Sequence, residues 1–122
     1  MPYDREKLAW AAGFFDGEGC TTFHLGKGTQ YYYPRLRIGQ SGNSGYMVLE
    51  TFKDALQMGS ISGPYSANPT RYPNRQVTWS YYLHGFEKVQ AAIALMWTWL
   101  SDAKKEQAIK ILTHERNQNP LR

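Results

Sequence analysis

What this chain has little of narrows it first. It holds one cysteine, Cys20, which excludes an internal disulfide framework and any cysteine-based zinc site. The three histidines, His24, His84 and His114, show no metal-ligand spacing, so a histidine-metal centre is not expected. Long apolar runs are missing: the longest, residues 91–97, falls far short of the ~20 residues a membrane-spanning helix needs. The first residues, Met-Pro-Tyr-Asp-Arg-Glu-Lys, are charged and lack the apolar stretch of a secretory signal. A soluble intracellular protein without a membrane partner is the expectation. Acids are outnumbered, 10 against 14 Lys and Arg, giving a formal net charge of +4. That modest excess is compatible with a polyanionic partner and does not prove one. What is present is 122 residues, nine tyrosines and four tryptophans. This length supports one core and not two ordinary domains, so residues 1–122 read as a single domain.

The densest information lies in Ala11-Ala12-Gly13-Phe14-Phe15-Asp16-Gly17-Glu18-Gly19. Ala9, Gly13 and Gly17 fall four apart and stack on one helix face. A face without side chains lets another backbone approach closely. Gly17 and Gly19 are poor helix formers, so the helix must end where Asp16 and Glu18 sit. The segment reads as a tightly packing helix that delivers carboxylates at its tip.

Around it, Asp4 is a plausible N-cap for a helix from Arg5 to Gly17, and the following Arg5-Glu6-Lys7 reads as solvation rather than chemistry. Residues 20–25 alternate, with Cys20, Thr22 and His24 on one face. Residues 26–30 form a turn, and a second strand runs from Tyr31 to Gln40. Tyr31, Tyr33, Arg35 and Arg37 share one of its faces. A helix follows, with Tyr46, Leu49, Phe52 and Leu56 in phase and Gly59 as its stop. Ser60 to Tyr65 is a short strand, and residues 66–75 make a turn-rich loop. Gln76 to Leu83 alternates, with Gln76, Thr78, Ser80 and Tyr82 outward. A third helix carries Phe86, Val89, Ile93 and Leu100, and a last one, capped by Ser101 or Asp102, carries Ala108, Ile109, Ile111 and Leu112. The order α-β-β-α-β-β-α-α predicts an α+β domain with a four-stranded antiparallel sheet, helices on one face and polar side chains on the other.

The nine-residue segment in this context resembles the motif of the LAGLIDADG homing endonuclease family. Gly13, Asp16 and Gly19 match it directly; Ala11, Phe14, Phe15 and Glu18 stand at its substituted positions. Gln40, at a strand end, and Lys104, near the Gln107-Ala108 pair, look like two further positions of that family. The resemblance implies the αββαββα fold with an extra C-terminal helix. It implies a seam in which Ala9, Ala12, Gly13, Asp16 and Gly17 meet a second copy, here another subunit, and a Mg²⁺ or Mn²⁺ ion held by Glu18 with the Gly19 carbonyl. Gln40 would position the attacking water and Lys104 would stabilise charge in the transition state. Asp16 would serve the turn at the helix end. Simple chemistry agrees on the dimer. A hard divalent cation wants oxygen ligands, and one acid per chain is thin for a phosphodiester site with metals ~3.5–4 Å apart. Two tips meeting at a dyad supply both carboxylates and imply a long palindromic or near-palindromic double-stranded DNA site.

The outward row of Thr22, His24, Tyr31, Tyr33, Arg35, Arg37, Gln76, Thr78 and Ser80 is the candidate DNA surface. Lys27, Arg71 and Arg75 lie in turns and are expected to grip phosphates. The expected activity is site-specific double-strand cleavage, as in intron homing, with no small-molecule substrate. The alternatives are an inactive nucleic-acid binder, such as an intron RNA maturase or a DNA-binding regulator, and a dimerisation module that binds no nucleic acid.

Overall fold

The computed structural model describes residues 2–26, 28, 32–66, 68, 70–71 and 73–118, with side chains as far as residue 114. Lys27 and Tyr31, both expected at the DNA surface, lie outside the described residues. The first helix, α1 (Arg5–Glu18), starts where Asp4 accepts hydrogen bonds from the backbone N–H of Glu6 and Lys7. Then come β1 (Gly19–Leu25), β2 (Tyr32–Ser41), α2 (Gly42–Leu56), β3 (Ser60–Tyr65), β4 (Thr78–His84), α3 (Phe86–Met96) and α4 (Asp102–Gln118). A 3₁₀ turn at Trp97–Trp99 links the last two helices. The strands form one antiparallel sheet in the order β1-β2-β4-β3. This is the α+β architecture expected. Among the described residues, no helix is long and apolar enough to cross a membrane.

Strand alternation decides which residues the sheet buries. Thr21, Leu36, Ile38, Tyr81 and Leu83 point to the helices and meet Leu8, Ala11, Ala12 and Phe15 of α1, Leu49, Phe52 and Leu56 of α2, and Val89, Ile93 and Met96 of α3. Phe52 packs edge-on to Tyr81, and burial pushes the Tyr81 hydroxyl well above its ordinary value. That hydroxyl donates to the Met58 carbonyl at 2.9 Å, so its one strong donor is satisfied. The open edge of β1 is guarded by α4: Gln107 Oε1 accepts the Thr21 backbone N–H at 3.1 Å, and His114 packs edge-on to Phe23.

Three expectations change here. Gly59 does not stop α2; the helix ends at Leu56, and Gln57 takes the left-handed conformation. Gly59 instead lies against the Tyr81 ring, where a Cβ would collide. Ile109, assigned to the apolar side of α4, is 52% exposed, and Ala108 is the buried residue of that turn. Ala12 is fully buried in this chain's own core. With no surface exposed, it has nothing to offer an outer seam.

Candidate active site and nucleic-acid interface

The turn from α1 into β1 takes a single residue, and that fixes where Glu18 sits. Gly19 is buried, and a Cβ there would overlap the ring of Phe15, itself fully buried. The chain can therefore swing straight into the strand only with glycine at this point, leaving the Glu18 carboxylate exposed at the helix tip. Gly19→Ala should lower unfolding stability by about 1–3 kcal/mol, the usual cost of overpacking a core that cannot yield. Denaturant melting checks this, and an unchanged midpoint contradicts it.

Three separate elements converge on this tip. From the end of β2, the Gln40 side-chain amide donates to Glu18 Oε2 at 3.3 Å. Gly45 in the first turns of α2 makes room for it: a Cβ would come within 2.9 Å of the Gln40 Cβ and 3.0 Å of its backbone carbonyl carbon. From the first turn of α4, the Lys104 ammonium donates to the Gly19 carbonyl and lies 5.7 Å from the centre of the Phe15 ring. A cation in that first turn opposes the dipole of α4, but its head reaches the negative, C-terminal end of α1. Asp16 accepts from the backbone N–H and the hydroxyl of Ser101, each at 3.1 Å, and the Ser101 oxygen accepts the Lys104 backbone N–H at 3.3 Å. Asp16 therefore ties α1 to the start of α4 within one chain. Sequence spacing could not reveal that tie, because the partners are 85 positions apart.

The Glu18 carboxylate forms no ion pair among the described residues. Nor do three or more His, Cys, Asp or Glu side chains gather there to hold a metal. The available donors, an exposed carboxylate and a carbonyl oxygen with a lone pair beyond the one taken by Lys104, are all hard oxygen. They suit a magnesium-like cation that keeps several waters.

On the outward face of the sheet, Thr22 and His24 of β1, Tyr33, Arg35 and Arg37 of β2, and Thr78 of β4 lie where expected, Arg37 and His24 exposed and the others half-buried. Gln76 is exposed just before β4, beside Gly42, and Arg71 and Arg75 are exposed in the loop after β3. Ser80 is a correction. It is outward by register but buried, and its hydroxyl pairs with Tyr82, so it supports that ring instead of facing a ligand. Tyr82 and His84 were not among the expected contacts, though strand alternation puts both on this face. The Arg37 guanidinium, bonded to the Tyr82 hydroxyl, draws its pKa below the ordinary value. His84 is pushed below the ordinary 6.5 by burial, then by the charges of His24 and Arg35.

Charge is sorted by layer. Nine of the ten acids lie within helices and the tenth, Asp4, caps one. The strands and the loops joining them carry Lys27, Arg35, Arg37, Arg71 and Arg75 and no carboxylate. A sheet face free of acids, with arginine beside tyrosine and histidine, is suited to a polyanion.

No protein-family model matches the sequence, and no curated protein matches it. Solved structures do match. The homing endonuclease I-CvuI, in complex with its target in the presence of 2 mM Ca, superposes at a TM-score of 0.70 with 20% identity, covering 96% of this chain and 73% of that one. I-TnaI, also a homing endonuclease, gives 0.65 with 16% identity, covering 98% and 78%. The LAGLIDADG homing endonuclease I-GzeII, in complex with a DNA target, gives 0.65 with 21% identity; there 99% of this chain spans 39% of the longer one. The fold of this chain is that of the LAGLIDADG homing endonucleases.

Proposed function

We propose that this chain is one half of a site-specific DNA endonuclease, active as a homodimer on a long palindromic or near-palindromic duplex. The convergence of Glu18, Gln40 and Lys104 on one helix tip, from three elements far apart in sequence, carries this reading. Neighbours of the same fold that are complexed with DNA targets support it.

Glu18 and the Gly19 carbonyl would hold Mg²⁺ or Mn²⁺, which when bound polarises a phosphodiester and lowers the pKa of its water. Gln40, already hydrogen-bonded to Glu18, orients the attacking water through its side-chain amide. Lys104 carries its positive charge to the same tip and stabilises charge developing on the phosphate. The sheets of both subunits lie along the duplex: side chains on the strands meet base edges, and Arg71 and Arg75 with the loop Lys27 meet phosphates.

The test is linearisation of a plasmid library carrying random duplex inserts, with and without Mg²⁺, followed by sequencing of the cut ends. Recurrent, metal-dependent ends from one symmetric sequence are expected; random or metal-independent ends overturn the reading. Arg37→Ala should weaken duplex binding about tenfold and flatten the slope of log affinity against log salt by about one phosphate contact. Fluorescence anisotropy across a salt series measures both, and an unchanged slope removes Arg37 from the interface.

A further inference from the structure

One side chain on the outward face of the sheet is held from both sides. Arg35, on β2, is gripped from both flanking strands. On β1, His24 Nδ1 lies 3.2 Å from Arg35 Nη1. On β4, the Tyr82 ring lies under its guanidinium at 5.2 Å. A guanidinium has donors and no acceptor, so His24 Nδ1 must be the acceptor, and its ring must be neutral with the proton on Nε2. His84 completes the cluster, its ring centre 5.1 Å from that of His24 and stacked on Tyr82 at 5.6 Å.

We propose that His24 is a positioning residue that holds Arg35 as a preset base-reading prong, and that taking up a proton on His24 releases it. The inference rests on the duplex-binding reading above and adds to it a device that sets specificity. A protonated imidazole offers only donors, so it cannot hold Arg35 and repels it instead. The groups around His24 and Arg35 come from both flanking strands, and none of them is an acid. From β2 these are Tyr33 and Arg35; from β4 they are His84 and, beneath Arg35, Tyr82. No carboxylate stands on any strand to keep Arg35 in place once the hold is lost. A held arginine loses less side-chain freedom on meeting a guanine, so the hold sharpens discrimination at one base pair in each half-site. Release leaves affinity for DNA as such, since the positive charge grows, and removes the discrimination.

Two measurements decide the matter. Nitrogen-detected NMR of the free protein should show His24 as the Nε2–H tautomer at about pH 8, with slowed rotation of the Arg35 guanidinium that is lost by about pH 5.5. The second is binding selection from a duplex library randomised over its central base pairs, run at both pH values. Wild type should prefer one base at the Arg35 position about tenfold more strongly at the higher pH. His24→Asn, whose carbonyl oxygen can stand near the place of Nδ1 and does not titrate, should keep the preference at both; His24→Leu should lose it at both. A proton on Nδ1 at the higher pH, a preference unaffected by pH in wild type, or a His24→Asn variant that titrates like wild type would overturn the proposal. If no sequence is enriched at either pH, the duplex reading falls and takes the base-reading role with it. The NMR arm then still decides whether His24 holds Arg35.

Discussion

Glu18→Gln is expected to abolish strand cleavage while leaving fold, dimer and duplex affinity intact. The carboxylate is exposed at the end of α1, forms no ion pair among the described residues, and shares one hydrogen bond with Gln40. An amide of the same size therefore disturbs no packing, and the melting midpoint should stay within ±0.5 kcal/mol of wild type. What is lost is an anionic oxygen that a divalent cation needs. A bound cation contributes several kcal/mol of transition-state stabilisation, so at ~1.4 kcal/mol per tenfold the rate should fall by about 10³ or more. Affinity should hold or rise slightly, because one negative charge near the phosphates has been removed. Single-turnover cleavage alongside anisotropy separates the two effects. Residual cutting within tenfold of wild type would place the chemistry elsewhere; a variant that neither cuts nor binds would make Glu18 a structural residue.

The second large effect concerns the outer row of α1. A Cβ added at Gly13 or Gly17 meets nothing within 4 Å among the described residues, so packing among them does not account for glycine at either position. Glycine in a helix interior costs about 0.5–1 kcal/mol relative to alanine, which makes two in one row an unfavourable choice for a monomer. Beside them Trp10 is 40% exposed and stacked on Phe14. In the homodimer proposed above, a second copy of α1 crossing at this row would account for the glycines through close backbone approach. Gly13→Glu should then split the dimer, since bulk and like charge would repeat across the two-fold axis, and cleavage should disappear with it. In the separated monomer the same change should raise stability by several tenths of a kcal/mol. Sedimentation equilibrium and thermal melting read the two signs independently. A Gly13→Glu protein that remains dimeric, or a wild type that is monomeric while cutting DNA, places the seam elsewhere.

How much of this was legible in the sequence depends on how local the signal is. Asp4 as a cap and the alternation of β1, β2 and β4 are short-range and read correctly, and α1, read to Gly17, ends one residue later at Glu18. Gln40 and Lys104 could be singled out only through the motif's resemblance; their meeting with Glu18 and Gly19 depends on tertiary placement. What spacing misjudged was decided across elements. Gly59 looks like a helix stop but is glycine because the Tyr81 ring lies against it. Ser80 alternates outward yet is covered, and Ala12 belongs to the apolar side of α1 despite its small size. His24 and His84 are 60 positions apart, and only the placing of β1 and β4 on either side of β2 makes them neighbours.

With every acid in or beside a helix, and five cations on strands and loops that carry no acid, a net charge of +4 understates how this molecule behaves near a polyanion. Its two layers form an electric dipole running through the thickness of the domain. In the field of a duplex such a body experiences a torque as well as an attraction, and it turns sheet-first before contact. A two-fold dimer that sets both sheets toward one side would add the two moments instead of cancelling them. Productive encounters should then make up a larger share of collisions than geometry alone allows, and that share should shrink as salt shortens the reach of the field.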